Sequence, residues 1–204
     1  MSRIVLKFYI AYGASFERIA ATVSKAAGLM QNLLKSTVYR SPDFMMTLFS
    51  THVRPILEYC SCVWHTGFVR DLRLLESVQR RWTKRVTGLS ELDYKSRLQV
   101  LNQYSVQGRL LRADLIQCWK IFHGKCAVEP TDLFALAPGS ATRGHRYKVL
   151  HHRAETRVRT RSFAMRCVQS WNALPDRVVA ETNLGKFKGM LANCLGDALF
   201  AYQP

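Results

Sequence analysis

Two groups of soft ligands stand out among the residues that could do chemistry. They are Cys60-x-Cys62-x-x-His65, and Cys118 followed by His123 and Cys126. Zinc takes four such ligands in a tetrahedron. Each group supplies three, at a spacing unlike a finger or knuckle. Cys118 also falls on the apolar stripe of an expected helix, where a small buried thiol explains it equally well. Six cysteines at irregular spacing read as reduced thiols of an intracellular chain, not as a disulfide framework. His151-His152 lies among arginines, which oppose a metal cation, so a solvated or phosphate-facing position suits it better. The chain has no Gly-rich phosphate loop, no Gly-x-Ser-x-Gly elbow and no adjacent aspartates. Nucleotidyl transfer by two metal ions needs carboxylates clustered within reach of both. The 14 acids are scattered, and each reads most simply as a solvated surface charge. No catalytic residue, metal ligand or cofactor is assigned on this reading.

The basic residues are more informative. There are 30 Lys and Arg against 14 Asp and Glu, a formal charge of +16. Such an excess opposes compaction by self-repulsion and points to a polyanionic partner, nucleic acid first. Between residues 143 and 161 stand Arg143, Arg146, Lys148, Arg153, Arg157, Arg159 and Arg161, with Glu155 the one acid. Arginine forks bind phosphate bidentately and stack on bases. Tyr147 and Phe163 flank this stretch and could stack or belong to the core. A second group, Arg73, Arg80, Arg81 and Lys84, belongs to an expected amphipathic helix. Its basic face reads either as a solvated face or as a phosphate contact. No uncharged apolar run is long enough to span a membrane.

The elements that position these residues are mostly helical. Residues 4–12 are β-branched and aromatic and predict a strand ended by Gly13. From Ser15 the apolar period becomes three to four, predicting a helix to about Tyr39. Ser41-Pro42 starts a second, with Phe44, Leu48, Phe49 and Val53 on one side and Pro55 inside or ending it. Over residues 70–88, Leu75, Val78, Trp82, Val86 and Leu89 share about a third of the helical circle, with Arg73, Arg80 and Lys84 opposite. Further helices fit residues 105–123, a stretch around 163–171 and residues 182–200. The 48% apolar fraction supports a buried core, in which Trp64, Trp82, Trp119 and Trp171 are the expected anchors. The fold expected is mainly α. It is divided into an N-terminal junction (1–13), a helical bundle (14–128), a connector with the basic stretch (129–161) and a small helical C-terminal region (162–204).

Several ordered segments resemble the reverse transcriptases of non-LTR retrotransposons, the jockey-like LINE group. These are Val53-Arg54-Pro55-Ile56-Leu57-Glu58-Tyr59-Cys60-Ser61-Cys62-Val63-Trp64; residues 75–84; Arg109-Leu110-Leu111-Arg112-Ala113-Asp114-Leu115; Thr142-Arg143-Gly144-His145; and Arg161-Ser162-Phe163, Arg166 and Trp171-Asn172-Ala173-Leu174-Pro175. The match covers the thumb and the region after it. The resemblance implies a thumb-like helical bundle that holds template and primer by their backbones, and a parent enzyme that makes DNA on RNA with magnesium. The family's Asp-Asp palm motif is absent here. The expected chain is therefore a palm-less fragment. Its partners would be RNA or DNA, held through phosphates, and the missing polymerase core; a membrane is not a partner. The rival readings are a free-standing basic nucleic-acid-binding module and a non-functional remnant of a transposon insertion.

Overall fold

The computed structural model describes residues 15–137, 145–151 and 156–202; the side chains of Ser15, Phe16, Arg157 and Val158 lie outside the description. The strand expected over 4–12 also lies outside it. The protein is mainly helical. Among the described residues the one β feature is an isolated antiparallel bridge between Leu136 and Val149. The chain builds two compact units. The first comprises residues 15–61, 68–110 and 197–202, and the second residues 62–67 and 111–196.

In the first unit, helix α1 (Ser15–Ser36) packs against α3 (Arg54–Glu58) and α4 (Val69–Thr83). It buries Ile19, Ala26 and Met30 at helical spacing. It ends three residues before the expected Tyr39, where the Ser36 hydroxyl bonds the carbonyls of Asn32 and Leu33. Pro42 opens α2 (Pro42–Leu48) after an extended Ser41. A π-helical turn, Phe49–Val53, then joins α2 to α3. It lies just before Pro55, whose ring cannot fit an α-turn against the carbonyl four residues back. The wider turn moves the buried line by one residue. Met45, Phe49, Val53 and Leu57 are fully buried, whereas Phe44 is 40% exposed and Leu48 half-buried. Phe49 and Val53 thus keep their expected places, and Phe44 and Leu48 are corrected.

Helix α4 buries Leu72, Leu75, Val78 and Trp82, and the turn after it buries Val86 and Leu89. Asp71 in its first turn and Arg80 and Arg81 in its last suit the helix dipole. The Trp82 indole donates to the Met45 carbonyl at 3.1 Å. Helix α5 (Tyr94–Val100) is capped by Asp93, which accepts from the amides of Lys95 and Ser96. Helix α6 (Val106–Phe122) begins on a buried carboxylate. Glu76 accepts from the amides of Val106 (3.1 Å) and Gln107 (3.2 Å) and from the Tyr94 hydroxyl. Nearby, buried Arg109 donates to Glu58, to Gln79 Oε1 at 2.6 Å and to the Tyr104 carbonyl. Burial pushes the Glu76 carboxyl above its ordinary range, and the Tyr94 hydroxyl pulls it partly back.

Residues 197–202 complete this unit from far along the chain. Ser105 donates its amide to the Leu199 carbonyl and its hydroxyl to the Ala201 carbonyl. Leu199 is buried against Gly108, and a Cβ there would lie 2.2 Å from the Leu199 carbonyl oxygen. Phe200 and Tyr202 meet Tyr104 and Tyr94 edge-on.

The second unit is built on an aromatic core of Trp119, Phe122, Phe134, Phe163, Trp171 and Phe187. Phe122 stacks on Trp171 at 5.2 Å and on Phe134 at 5.3 Å. After the short α7 (Pro130–Leu133), where one helix was expected around 163–171 two short ones form, α8 (Phe163–Arg166) and α9 (Val168–Asn172). The Cys167 thiol between them takes the Phe163 carbonyl at 2.8 Å. Asn172 bonds Val149 through both its amide atoms and so acts as a strand partner. After α10 (Asp176–Val179), Asn183 caps α11 (Leu184–Leu195). The expected 182–200 helix stops there, at Gly196 with φ +44, and a 3-10 turn follows.

Asp114 and Arg166 form a bidentate ion pair inside this unit, both bonds 2.8 Å. Arg166 also donates to the carbonyls of His65 (2.7 Å), Cys62 (3.0 Å) and Arg161 (3.2 Å). His65 is itself buried, and its Nδ1 accepts from the Gly67 amide at 3.2 Å. Burial first, then the charges of Arg166 and Arg161, lower its pKa to about 3. The four tryptophans are buried, as expected from the sequence.

Two outcomes follow for stability. Alanine normally improves a helix over glycine by about 1 kcal/mol. At Gly108 the colliding group is backbone, so Gly108→Ala should instead lose about 1–3 kcal/mol. Urea unfolding checks this, and an unchanged or raised midpoint would refute the close packing. For His65, the unfolded chain binds a proton below pH 6.5 that the folded chain refuses until about pH 3. Its stabilising contribution is therefore lost as pH falls through that window, by up to about 1.4 kcal/mol per unit. The raised carboxyls of Glu76 and Asp114 act in the opposite sense. The test is thus a difference: His65→Asn, which retains an acceptor, should flatten the acid-side loss relative to wild type. Parallel pH curves would exclude His65 as the cause.

Candidate nucleic-acid interface

The outer side of α4 carries charge of one sign. Arg70, Arg73, Arg80 and Arg81 are exposed along it, and Lys84 and Arg85 continue past its end. The two acids of the helix, Asp71 and Glu76, are 2% and 0% exposed. The apolar stripe of α4 needs a core, and Glu76 is drawn inward by the amides at the start of α6. What remains outside is cationic. Phosphates bind such a surface without base identity.

Individual cations on this face differ in freedom. The Arg80 guanidinium lies 5.4 Å from the ring centroids of both Tyr94 and Tyr202. It therefore fastens residues 197–202 as well as facing solvent. Arg81 donates to the Ser77 carbonyl at 3.3 Å. Lys84 closes the helix, and its amide bonds the Arg80 carbonyl.

The basic stretch between residues 143 and 161 is described only in part. Arg143 and Arg153 lie outside the described residues, as does the Arg157 side chain. Arg146 is exposed with its guanidinium 4.9 Å from the Tyr147 centroid. Lys148 is half-buried, and Arg159 is exposed on the turn Arg157–Thr160. Arg161 is exposed and donates to the Gly67 carbonyl at 3.2 Å. The two aromatics that flank the stretch resolve as core residues. Phe163 is 4% exposed, and half-buried Tyr147 packs on Phe122 and His123.

The soft ligands have other partners. Cys118 is fully buried and faces the Cys167 sulfur at 3.3 Å. His123 Nε2 meets the Val179 carbonyl at 2.9 Å, and its ring stacks on Trp119. Cys60 is exposed, and His65 bonds the Gly67 amide. Among the described residues no group of three or more His, Cys, Asp or Glu could hold a metal ion.

The acids are a correction to the sequence reading, which placed each on the solvated surface. Asp71, Glu76 and Asp114 are buried and Glu58 is half-buried. Glu76, Asp114 and Glu58 serve a helix start or an arginine, a role that spacing alone does not reveal. Exposed aromatics were also missed: Tyr39 at 68%, Tyr59 at 79% and Phe44 at 40%. Tyr39 precedes Arg40-Ser41-Pro42, a turn signal that would have placed it outside the core. No family model, curated protein or solved structure matches this chain.

Proposed function

We propose that this chain binds RNA or DNA through the phosphate backbone, as a thumb-like and post-thumb part of a non-LTR retrotransposon reverse transcriptase without its catalytic palm. The observation that carries the binding reading is the one-signed outer face of α4: cations outside, both acids inside. The formal charge of +16 supports it. What supports the parentage is the ordered set of resembling segments, together with the all-helical build of the first unit. In this reading Arg73, Arg81 and Lys84 neutralise successive phosphates, Arg80 does so from its tyrosine seat, and the 143–161 stretch supplies a second cationic patch. The polymerase core of the parent protein, with its magnesium, would be the missing partner. A second reading, a free-standing basic nucleic-acid-binding module, draws on the same face and on the self-contained aromatic core of the second unit.

Two experiments test the proposal. Each phosphate contact releases condensed counterions, so log affinity should fall steeply with log salt, by about 0.7–0.9 per contact. Replacing Arg73, Arg81 and Lys84 by Gln should flatten that slope by about two to three units. Fluorescence anisotropy at several salt concentrations measures it, with an Arg159→Gln, Arg161→Gln variant beside it. An unchanged slope in the α4 variant would move the interface off this helix. The second experiment is primer extension with magnesium and deoxynucleotides. The isolated chain should give no product, because Glu76 and Asp114 are held separately by α6 amides and by Arg166. Extension lost on mutating one of its acids would overturn the palm-less reading.

A further inference from the structure

Resting on the nucleic-acid reading, we infer that Tyr39 and Phe44 form a stacking platform for an unpaired base of the strand whose phosphates α4 holds. The two rings lie 5.8 Å apart and tilted by 54°. They are 68% and 40% exposed, and Val38 beside them is 96% exposed. Aromatic rings of the first unit that serve packing, such as Phe49 and Trp82, are fully buried.

The exposure is held in place by the local structure. α1 has already ended at Ser36, and Pro42 opens α2 after holding Ser41 extended. The Arg40 side chain donates to the Leu34 carbonyl at 3.2 Å, and the Arg40 carbonyl accepts the Thr87 amide at 3.0 Å. The Met45 amide bonds the Ser41 carbonyl. The segment is therefore tied to α1, to α2 and to the turn after α4, and its two rings stand outside on a fixed backbone.

The Thr87–Arg40 bond also decides what surrounds the rings. Exposed Lys84 and Arg85 lie within three residues of Thr87, at the end of the cationic face. Lys35 is exposed in the last turn of α1. Against these stands Asp43, the one acid between residues 35 and 49. An apolar protein partner would be served by the rings but not by the cations around them. A nucleotide uses both: its phosphate needs the cation and its base needs a flat apolar surface. Stacking on an aromatic side chain accepts any base, because every base has a π-face. The occupant is thus an unpaired nucleotide adjoining backbone held on α4.

The experiment uses the full chain and three probes of one duplex: blunt, with a short single-stranded extension, and with the same extension made abasic. The abasic probe keeps every phosphate and removes only the bases. Wild type should bind the base-bearing extension about tenfold more tightly than the abasic one. Tyr39→Ala with Phe44→Ala should erase that difference while leaving blunt-duplex affinity and its salt slope unchanged. Tyr39→Trp should restore it. Circular dichroism and the thermal midpoint should not move, since both rings are exposed. Equal binding of the two extended probes by wild type would overturn the platform, and so would a preference that survives the double substitution. So would an equal loss on all three probes or a changed oligomeric state, which would make the face structural or a protein contact. Absence of salt-dependent binding to every probe would instead refute the underlying nucleic-acid reading.

Discussion

A carboxylate cannot be left alone in a protein interior, where its desolvation costs several kcal/mol. Asp114 is 3% exposed, and the two parallel bonds from Arg166 answer that cost. Both partners are consequently fixed. The remaining donors of Arg166 reach the carbonyls of Cys62, His65 and Arg161. Residues 62–67 thereby join 111–196 although about a hundred residues of chain separate His65 from Arg166. His65 stays neutral first because it is buried, and then because a further positive charge beside Arg166 and Arg161 is unfavourable. Removing either member of the pair would strand the other charge in the core, a loss of about 3–5 kcal/mol.

The first unit repeats the same solution with other residues. Glu76 is satisfied by the opening amides of α6 and by Tyr94, while Arg109 draws in Glu58 and Gln79. The chemical effect reaches the surface. The chain buries Asp71, Glu76 and Asp114 together with Arg97, Arg109 and most of Arg166, so the charge excess of its composition is kept outside, and on α4 it is the acids alone that go in. The one-signed face of α4 is in this sense a product of core packing. Glu58, Glu76, Arg109, Asp114, Arg166, Trp171 and Asn172 each occupy a folding position in the structure.

Much of the helical layout was legible. The apolar periods of α1, α4 and α6 are strong, and Trp82 and Trp119 lie on the stripes of α4 and α6. The register of α2 was not, because the π-turn before Pro55 shifts the buried line from Phe44 to Met45. Nor was the fate of the acids, since Glu76 meets Val106 30 residues on and Asp114 meets Arg166 52 residues on. The two units are each assembled from separate pieces of chain, which a reading in sequence order cannot join. For the candidate interface, charge spacing at 100° per residue was enough to find the α4 face. Charge counting over 143–161 could not tell which guanidinium groups were engaged, such as Arg161 on Gly67. The aromatics were the weakest point. Tyr147 and Phe163 stood next to the arginines in sequence but pack inside, while Tyr39 and Phe44 reach the end of α4 through the Thr87–Arg40 and Trp82–Met45 bonds.

The strap of residues 197–202 has a consequence for how the protein is made. Translation proceeds from the N-terminus, and folding of early segments begins while later ones are still in the ribosome. Ser105 waits 96 residues for the carbonyl of Ala201. Until then Gly108 faces no backbone, and Arg80 lacks its second tyrosine. Every residue of the second unit has been synthesised by Gly196, before this strap exists. The first unit thus closes only after the whole of the second has been made, and its cationic helix acquires its finished surroundings with residues 197–202.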